Sequence, residues 1–65
     1  MSKHDLTIFR YSTILTLTRN GISTIAELEE MTNEQIANLR GMGRRSYEEI
    51  LAVLGRQDHA RQESH

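Results

Sequence analysis

Leu39-Arg40-Gly41-Met42-Gly43-Arg44-Arg45-Ser46 governs how the rest of the sequence is read. Two glycines bracket one apolar residue, and two arginines and a serine follow at once. Upstream, Ile36 and Leu39 stand three apart. Downstream, Tyr47, Ile50, Leu51 and Leu54 recur at the i, i+3, i+4, i+7 spacing of one buried helix face. A short helix is therefore expected to run into a glycine turn, and a longer helix to leave it. Both glycines permit positive φ and close backbone approach, and Gly43 is expected to require the missing Cβ. The first turn of the new helix presents N–H groups without intrahelical acceptors. With Arg44, Arg45 and the Ser46 hydroxyl they make an anion site. Because the protein shows no sign of a nucleotide-binding fold, the expected anion is a nucleic-acid phosphate.

The full spacing is apolar, two spacers, apolar, one spacer, Gly, apolar, Gly, three spacers, then an apolar helix. Ile36, Leu39, Gly41, Met42, Gly43 and Ile50 mark it. This is the helix-hairpin-helix pattern. The plainer alternative is a tight helix–helix turn whose glycines serve packing alone.

Length and composition narrow the classes. With 65 residues the protein makes one small domain, and a domain of this size buries only about 60% of its unfolded surface. It has no cysteine, which excludes a disulfide framework and a thiolate metal site. His4, His59 and His65 lie near the termini, away from ligand spacing, so neither a metal nor a cofactor is expected. No apolar run approaches the roughly 20 residues needed to span a bilayer, and no signal peptide is visible. The expected location is cytoplasmic. Eight Lys and Arg against nine Asp and Glu give a net charge of −1, too little for nucleic-acid binding by bulk charge. The distribution is uneven, however. Residues 40 to 46 carry Arg40, Arg44 and Arg45 and no acid, whereas residues 27 to 34 carry Glu27, Glu29, Glu30 and Glu34 and no base. Such asymmetry suits a small DNA contact on one side and a protein contact on the other, and it also suits an ordinary solvated surface.

Along the sequence, residues 1 to 5 read as a flexible N-terminus. Asp5 to Tyr11 reads as an arm across the helices, with Phe9 as a core plug. Ser12 or Thr13 is expected to cap a first helix that runs to about Asn20, and Asn20-Gly21 supplies a left-handed stop. Thr24-Ile25-Ala26-Glu27 and Thr32-Asn33-Glu34-Gln35 are two capping boxes. They predict two short helices meeting at a corner rather than one long helix. The third helix is expected to end at Arg40, and the fourth to run from about Arg44 to Leu54 with Gly55 as its stop. The result is an all-α fold, a compact bundle of four short helices with an N-terminal arm. Residues 6–55 form the domain and residues 56–65 a disordered polar tail. The expected core is Phe9, Ile14, Leu17, Ile22, Ile25, Leu28, Ile36, Leu39, Tyr47, Ile50, Leu51 and Leu54.

The order of these pieces resembles the C-terminal domain of the bacterial RNA polymerase alpha subunit. Asn20-Gly21-Ile22, the run Ser23-Thr24-Ile25 before Glu27-Leu28, Thr32 with Glu34 and Ile36, and Gly41 to Leu51 carry the likeness. Generic helix-hairpin-helix domains usually have a small alanine where Tyr47 stands, whereas the alpha domain tolerates a bulky residue. The resemblance implies a compact helical module that binds AT-rich upstream promoter DNA in the minor groove and docks transcription activators. The family's glycine, basic residue and serine at the hairpin fall on Gly43, Arg45 and Ser46. Its second DNA-facing region, at the start of the first helix, carries an arginine and, three residues on, an asparagine. An ungapped alignment puts Ser12 and Leu15 there, with Arg10 two residues earlier and able to reach the same groove.

The reading that follows is a non-enzymatic, transcription-related DNA-binding module. It is expected to hold DNA weakly, mainly by phosphates, through Gly41, Gly43, Arg44, Arg45 and Ser46 with help from Arg10, and to dock RNA polymerase or transcription regulators. The alternative is a protein-interaction module on the same fold, using Glu27, Glu30, Glu34, Glu48 and Glu49. Catalysis fits poorly. Adjacent helical carboxylates do not face each other, no serine–histidine pair falls in the folded part, and a domain this small has little room for a pocket of about 300 Å³.

Overall fold

Four helices follow one another with short connections: α1 (Tyr11–Arg19), α2 (Ile25–Glu29), α3 (Asn33–Ala37) and α4 (Arg44–Leu54). The computed structural model describes residues 6–56; the expected flexible N-terminus and most of the expected polar tail lie outside them. The all-α bundle is as the sequence predicts.

The expected arm is a 3₁₀ turn, Leu6–Ile8, closed by the Phe9 amide donating to the Leu6 carbonyl at 2.9 Å. It buries Leu6 and Phe9 in the core, so Phe9 is the plug the sequence suggests. Helix α1 starts earlier than expected. Its N-cap is Arg10, whose backbone is extended and whose side chain makes no capping bond. Ser12 and Thr13 lie inside the helix, and Thr13 is turned into the protein with 0% exposure. Its hydroxyl is used across the fold rather than on its own helix end. Thr16 and Thr18 instead donate to the carbonyls of Ser12 and Leu15 in the preceding turn.

The end of α1 behaves as read. Gly21 is left-handed at φ 79°. Its amide donates to Thr18 O, and the Ile22 amide reaches back to Leu17 O, both at 3.0 Å. This is the Schellman pattern, with its apolar contact supplied by buried Ile22 and Leu17. The same pattern closes α4, where Gly55 has φ 74° and the Arg56 amide donates to Leu51 O at 2.9 Å.

The two capping boxes differ. At α3, Thr32 accepts from the Gln35 amide at 3.0 Å and the Gln35 side chain accepts from the Thr32 amide at 2.9 Å, the full reciprocal box. At α2, Thr24 accepts from the Glu27 amide, but the Glu27 carboxylate accepts from the Ser23 amide at 2.9 Å, one residue earlier than a reciprocal box requires. Helix α3 stops at Ala37, three residues short of the expected end. Beyond it the Leu39 amide donates to Ile36 O and the Met42 amide to Leu39 O, so the backbone tightens into three-residue turns on its way to Gly41.

Leu6, Phe9, Leu17, Ile22, Ile25, Leu28, Ile36, Ile50 and Leu51 are buried. Ile14, Leu39, Tyr47 and Leu54, expected inside, are half-buried against this core, together with Met31, Met42 and Val53. Leu6 and Thr13 are the members that periodicity missed.

A candidate nucleic-acid interface at the glycine turn

The turn between α3 and α4 is shaped by one glycine rather than two. Gly41 has φ 79°, a conformation that disfavours any Cβ. Gly43 does not: it has φ −93° and ψ 168°, and a Cβ built on it meets nothing within 4 Å. The expectation that Gly43 needs its missing side chain to hold the turn is therefore corrected. Gly43 is the N-cap of α4 and provides no side-chain acceptor. Its carbonyl takes the Tyr47 amide at 2.9 Å, while the first-turn amides of Arg44, Arg45 and Ser46 precede any intrahelical acceptor. Met42 packs inward, and with Ala37, Gly43, Arg44 and Tyr47 it lines a shallow open groove of about 200 Å³.

The side chains around this helix start are unequally free. Arg44 pairs with Glu48 one turn on at 3.2 Å, an exposed pair that contributes only a few tenths of a kcal/mol, roughly. Arg45 is exposed and its side chain makes no bond among the described residues. Ser46 is half-buried and faces Thr13, with 2.9 Å between the hydroxyl oxygens. Thr13 also donates to Glu49 Oε1 at 2.6 Å. A threonine has one hydroxyl proton. The shorter, charge-assisted bond takes it, and the Ser46 hydroxyl then donates to Thr13.

Glu49 joins α1 to α4. Its carboxylate accepts from the Arg10 amide at 2.8 Å, from Arg10 Nε at 3.2 Å and from Thr13. Partial burial works to raise the Glu49 pKa, but the Thr13 hydroxyl, the Arg10 amide and the Arg10 guanidinium outweigh it, and the carboxyl lies below its ordinary value. The Arg10 guanidinium also donates to the Arg45 carbonyl at 3.4 Å. Arg10 therefore stands at the start of α1, against the first turn of α4. Ser12, which an ungapped alignment puts at the family's arginine, lies in the first turn of α1, two residues after this N-cap.

Among the acids expected on a protein-binding face, Glu49 is enclosed in this junction, Glu27 holds Ser23, and Glu48 holds Arg44. Glu30 and Glu34 are exposed. Two residues fix the frame in roles that sequence reading did not assign to them. Asn20 donates from Nδ2 to the carbonyls of Thr16 (2.8 Å) and Arg40 (3.0 Å), and its Oδ1 accepts from the Arg40 amide (3.1 Å), so the end of α1 clasps the entry to the turn. Arg56 donates to the carbonyls of Met31 (2.7 Å) and Glu29 (3.0 Å) and to Asn33 Oδ1 (3.1 Å), closing α4 against the α2–α3 corner. No local pattern marks either role.

Among the described residues no group of His, Asp or Glu is spaced to hold a metal ion, and no helix is long and apolar enough to cross a membrane. Neither curated proteins nor solved structures give a match. The family profile for the C-terminal domain of the bacterial RNA polymerase alpha subunit matches residues 14–56, from the first turns of α1 through the Asn20 clasp, the glycine turn and α4 to Arg56. The protein thus belongs to the family of C-terminal domains of bacterial RNA polymerase alpha subunits, a family of transcription-related DNA-binding domains.

Proposed function

We propose that this domain binds DNA through the glycine turn and the start of α4, with Arg10 beside them, and that it works with RNA polymerase and transcription regulators in the cytoplasm. One observation carries the reading. The first turn of α4, uncapped by any side chain, stands between an unengaged Arg45 and an Arg10 oriented by Glu49. Amides at a helix start take an anion, and arginines beside them add charge. Gly43 leaves open space where a phosphate backbone can come close.

Arg10 stands two residues before Ser12, which the ungapped alignment puts at the family's arginine, and it supports a contact with the DNA backbone from there. Ser12 and Leu15, at the family's arginine and asparagine positions, carry neither a charge nor an amide, which favours phosphate contact over base reading. DNA binding is then weak and only mildly selective for AT-rich sequence. No catalytic role is proposed. The exposed acids Glu30 and Glu34, on α2's end and α3, are the side offered to a protein partner.

A two-dimensional NMR titration with short AT-rich and GC-rich duplexes tests this. Shifts grouped at Arg10 and residues 41 to 46, of similar size for both duplexes, are expected. Shifts confined to α2 and α3, or no shifts at low salt, would transfer the function to protein interaction.

A further inference from the structure

We infer that Arg40 and Arg19 form a second phosphate contact, at the opposite end of α1 from Arg10 and Arg45, so that DNA is gripped at two points. This extends the DNA-binding reading above and rests on it. Six arginines fall in the described residues. Three have engaged guanidiniums: Arg10 with Glu49, Arg44 with Glu48, and Arg56 with the α2–α3 corner. The guanidiniums of Arg19, Arg40 and Arg45 bond to nothing among the described residues, and all three side chains are exposed.

Arg40 is not a loose loop residue. The Asn20 side chain donates to its carbonyl and accepts from its amide, at 3.0 and 3.1 Å. Its backbone is fastened in both directions to the end of α1, immediately before the left-handed Gly41, while its charge is left outside. Arg19 precedes the clasping Asn20 and is the basic residue of the last turn of α1. The two arginines are thus tied to one rigid helix end. The described carboxylates lie elsewhere: Glu27, Glu29, Glu30 and Glu34 on or beside α2 and α3, and Glu48 and Glu49 engaged within the start of α4.

The spacing suits a duplex. Helix α1 runs from beside the Arg10–Arg45 cluster to Asn20, ten residues at about 1.5 Å each, or roughly 15 Å. At about 3.4 Å of axial rise per phosphate on one strand, that is roughly four phosphate steps. A C-terminal helix end alone is electronegative and would repel a phosphate. Here its last carbonyls are taken by the Asn20, Gly21 and Ile22 amides and the Asn20 side chain, and two arginines reverse the sign.

The test is the affinity of the 65-residue chain for short AT-rich and GC-rich duplexes across a salt series, for wild type, Arg19→Gln, Arg40→Gln, the double variant and Arg45→Gln. Each of the first two is expected to lower the slope of log K against log salt by about 0.9, and the double variant by about 1.8, on both duplexes and with unchanged thermal melting. If Arg45→Gln lowers the slope and the double variant keeps the wild-type value, the second contact is overturned while the glycine-turn contact stands. A loss confined to the AT-rich duplex would put these arginines in the groove and overturn the phosphate assignment. If none of the variants changes the slope, the DNA-binding reading falls and this contact falls with it.

Discussion

The two ends of the bundle are fastened by different means. At the α2–α3 corner, polar side chains serve the backbone near them: Thr24 and Thr32 cap their own helices, and Arg56 adds bonds to the corner's carbonyls. These groups have one task, holding the backbone. At the α1–α4 junction, side chains meet side chains from 33 to 39 residues away, through Thr13, Ser46, Glu49 and Arg10. Two of these, Arg10 and Ser46, are also groups that the proposed DNA contact uses. Stability and binding are separable at the corner and entangled at the junction.

The largest effect is expected from breaking the junction. Glu49→Ala removes the acceptor of the Arg10 amide, the Arg10 guanidinium and the buried Thr13 hydroxyl, and should cost about 2–3 kcal/mol by urea unfolding. The same variant should flatten the acid side of the stability profile. The folded pKa of Glu49 lies below its unfolded value. Its stabilisation is therefore complete above the ordinary glutamate pKa, about 4.3, and is lost as pH falls through the lower folded value. An unchanged profile would show that the junction does not hold the fold.

Breaking the corner should cost less and leave binding alone. Arg56→Ala removes three hydrogen bonds to Met31, Glu29 and Asn33, for about 1–2 kcal/mol. Its affinity for DNA, measured where the variant is fully folded, should equal that of wild type. A parallel loss of affinity would mean the two ends are coupled.

The smallest effects sharpen the comparison at the turn itself. Gly41→Ala places a Cβ at φ 79° and should cost about 1 kcal/mol. Gly43→Ala meets open space at negative φ and should change stability by less than about 0.5 kcal/mol, yet weaken DNA binding, because the open side is where the proposed phosphate contact lies. Equal melting losses for the two would refute the division of roles between them.

What the sequence made legible was local. The bounds of α4, the Asn20-Gly21 and Gly55 stops and the Thr32 box each depend on residues within five positions of one another. The misreadings came from residues whose partners are far away. Thr13 looked like a cap because threonine usually bonds its own helix end; its partners are Ser46 and Glu49. Glu49 looked like a surface acid, and Arg56 like the start of a tail. The overlong third helix has the same origin. Leu39 carries the apolar spacing of a helix, but it packs on the core from a turn that Asn20 clasps through Arg40. In the candidate site, the turn and the basic side chains were legible, while the orientation of Arg10 and the identity of the left-handed glycine required three dimensions.

The distribution of the long-range side-chain bonds bears on how the protein is made. Those of Arg10, Thr13, Asn20, Glu29, Met31 and Asn33 all have their other end between residues 40 and 56. On the ribosome, where a polypeptide grows at about 5–20 residues per second, the first three helices emerge with their caps available and none of these ties in place. Helices of nine and five residues are too short to persist unaided. The nascent domain therefore stays open until α4 clears the exit tunnel, and the α1–α4 junction forms in the same step as the core.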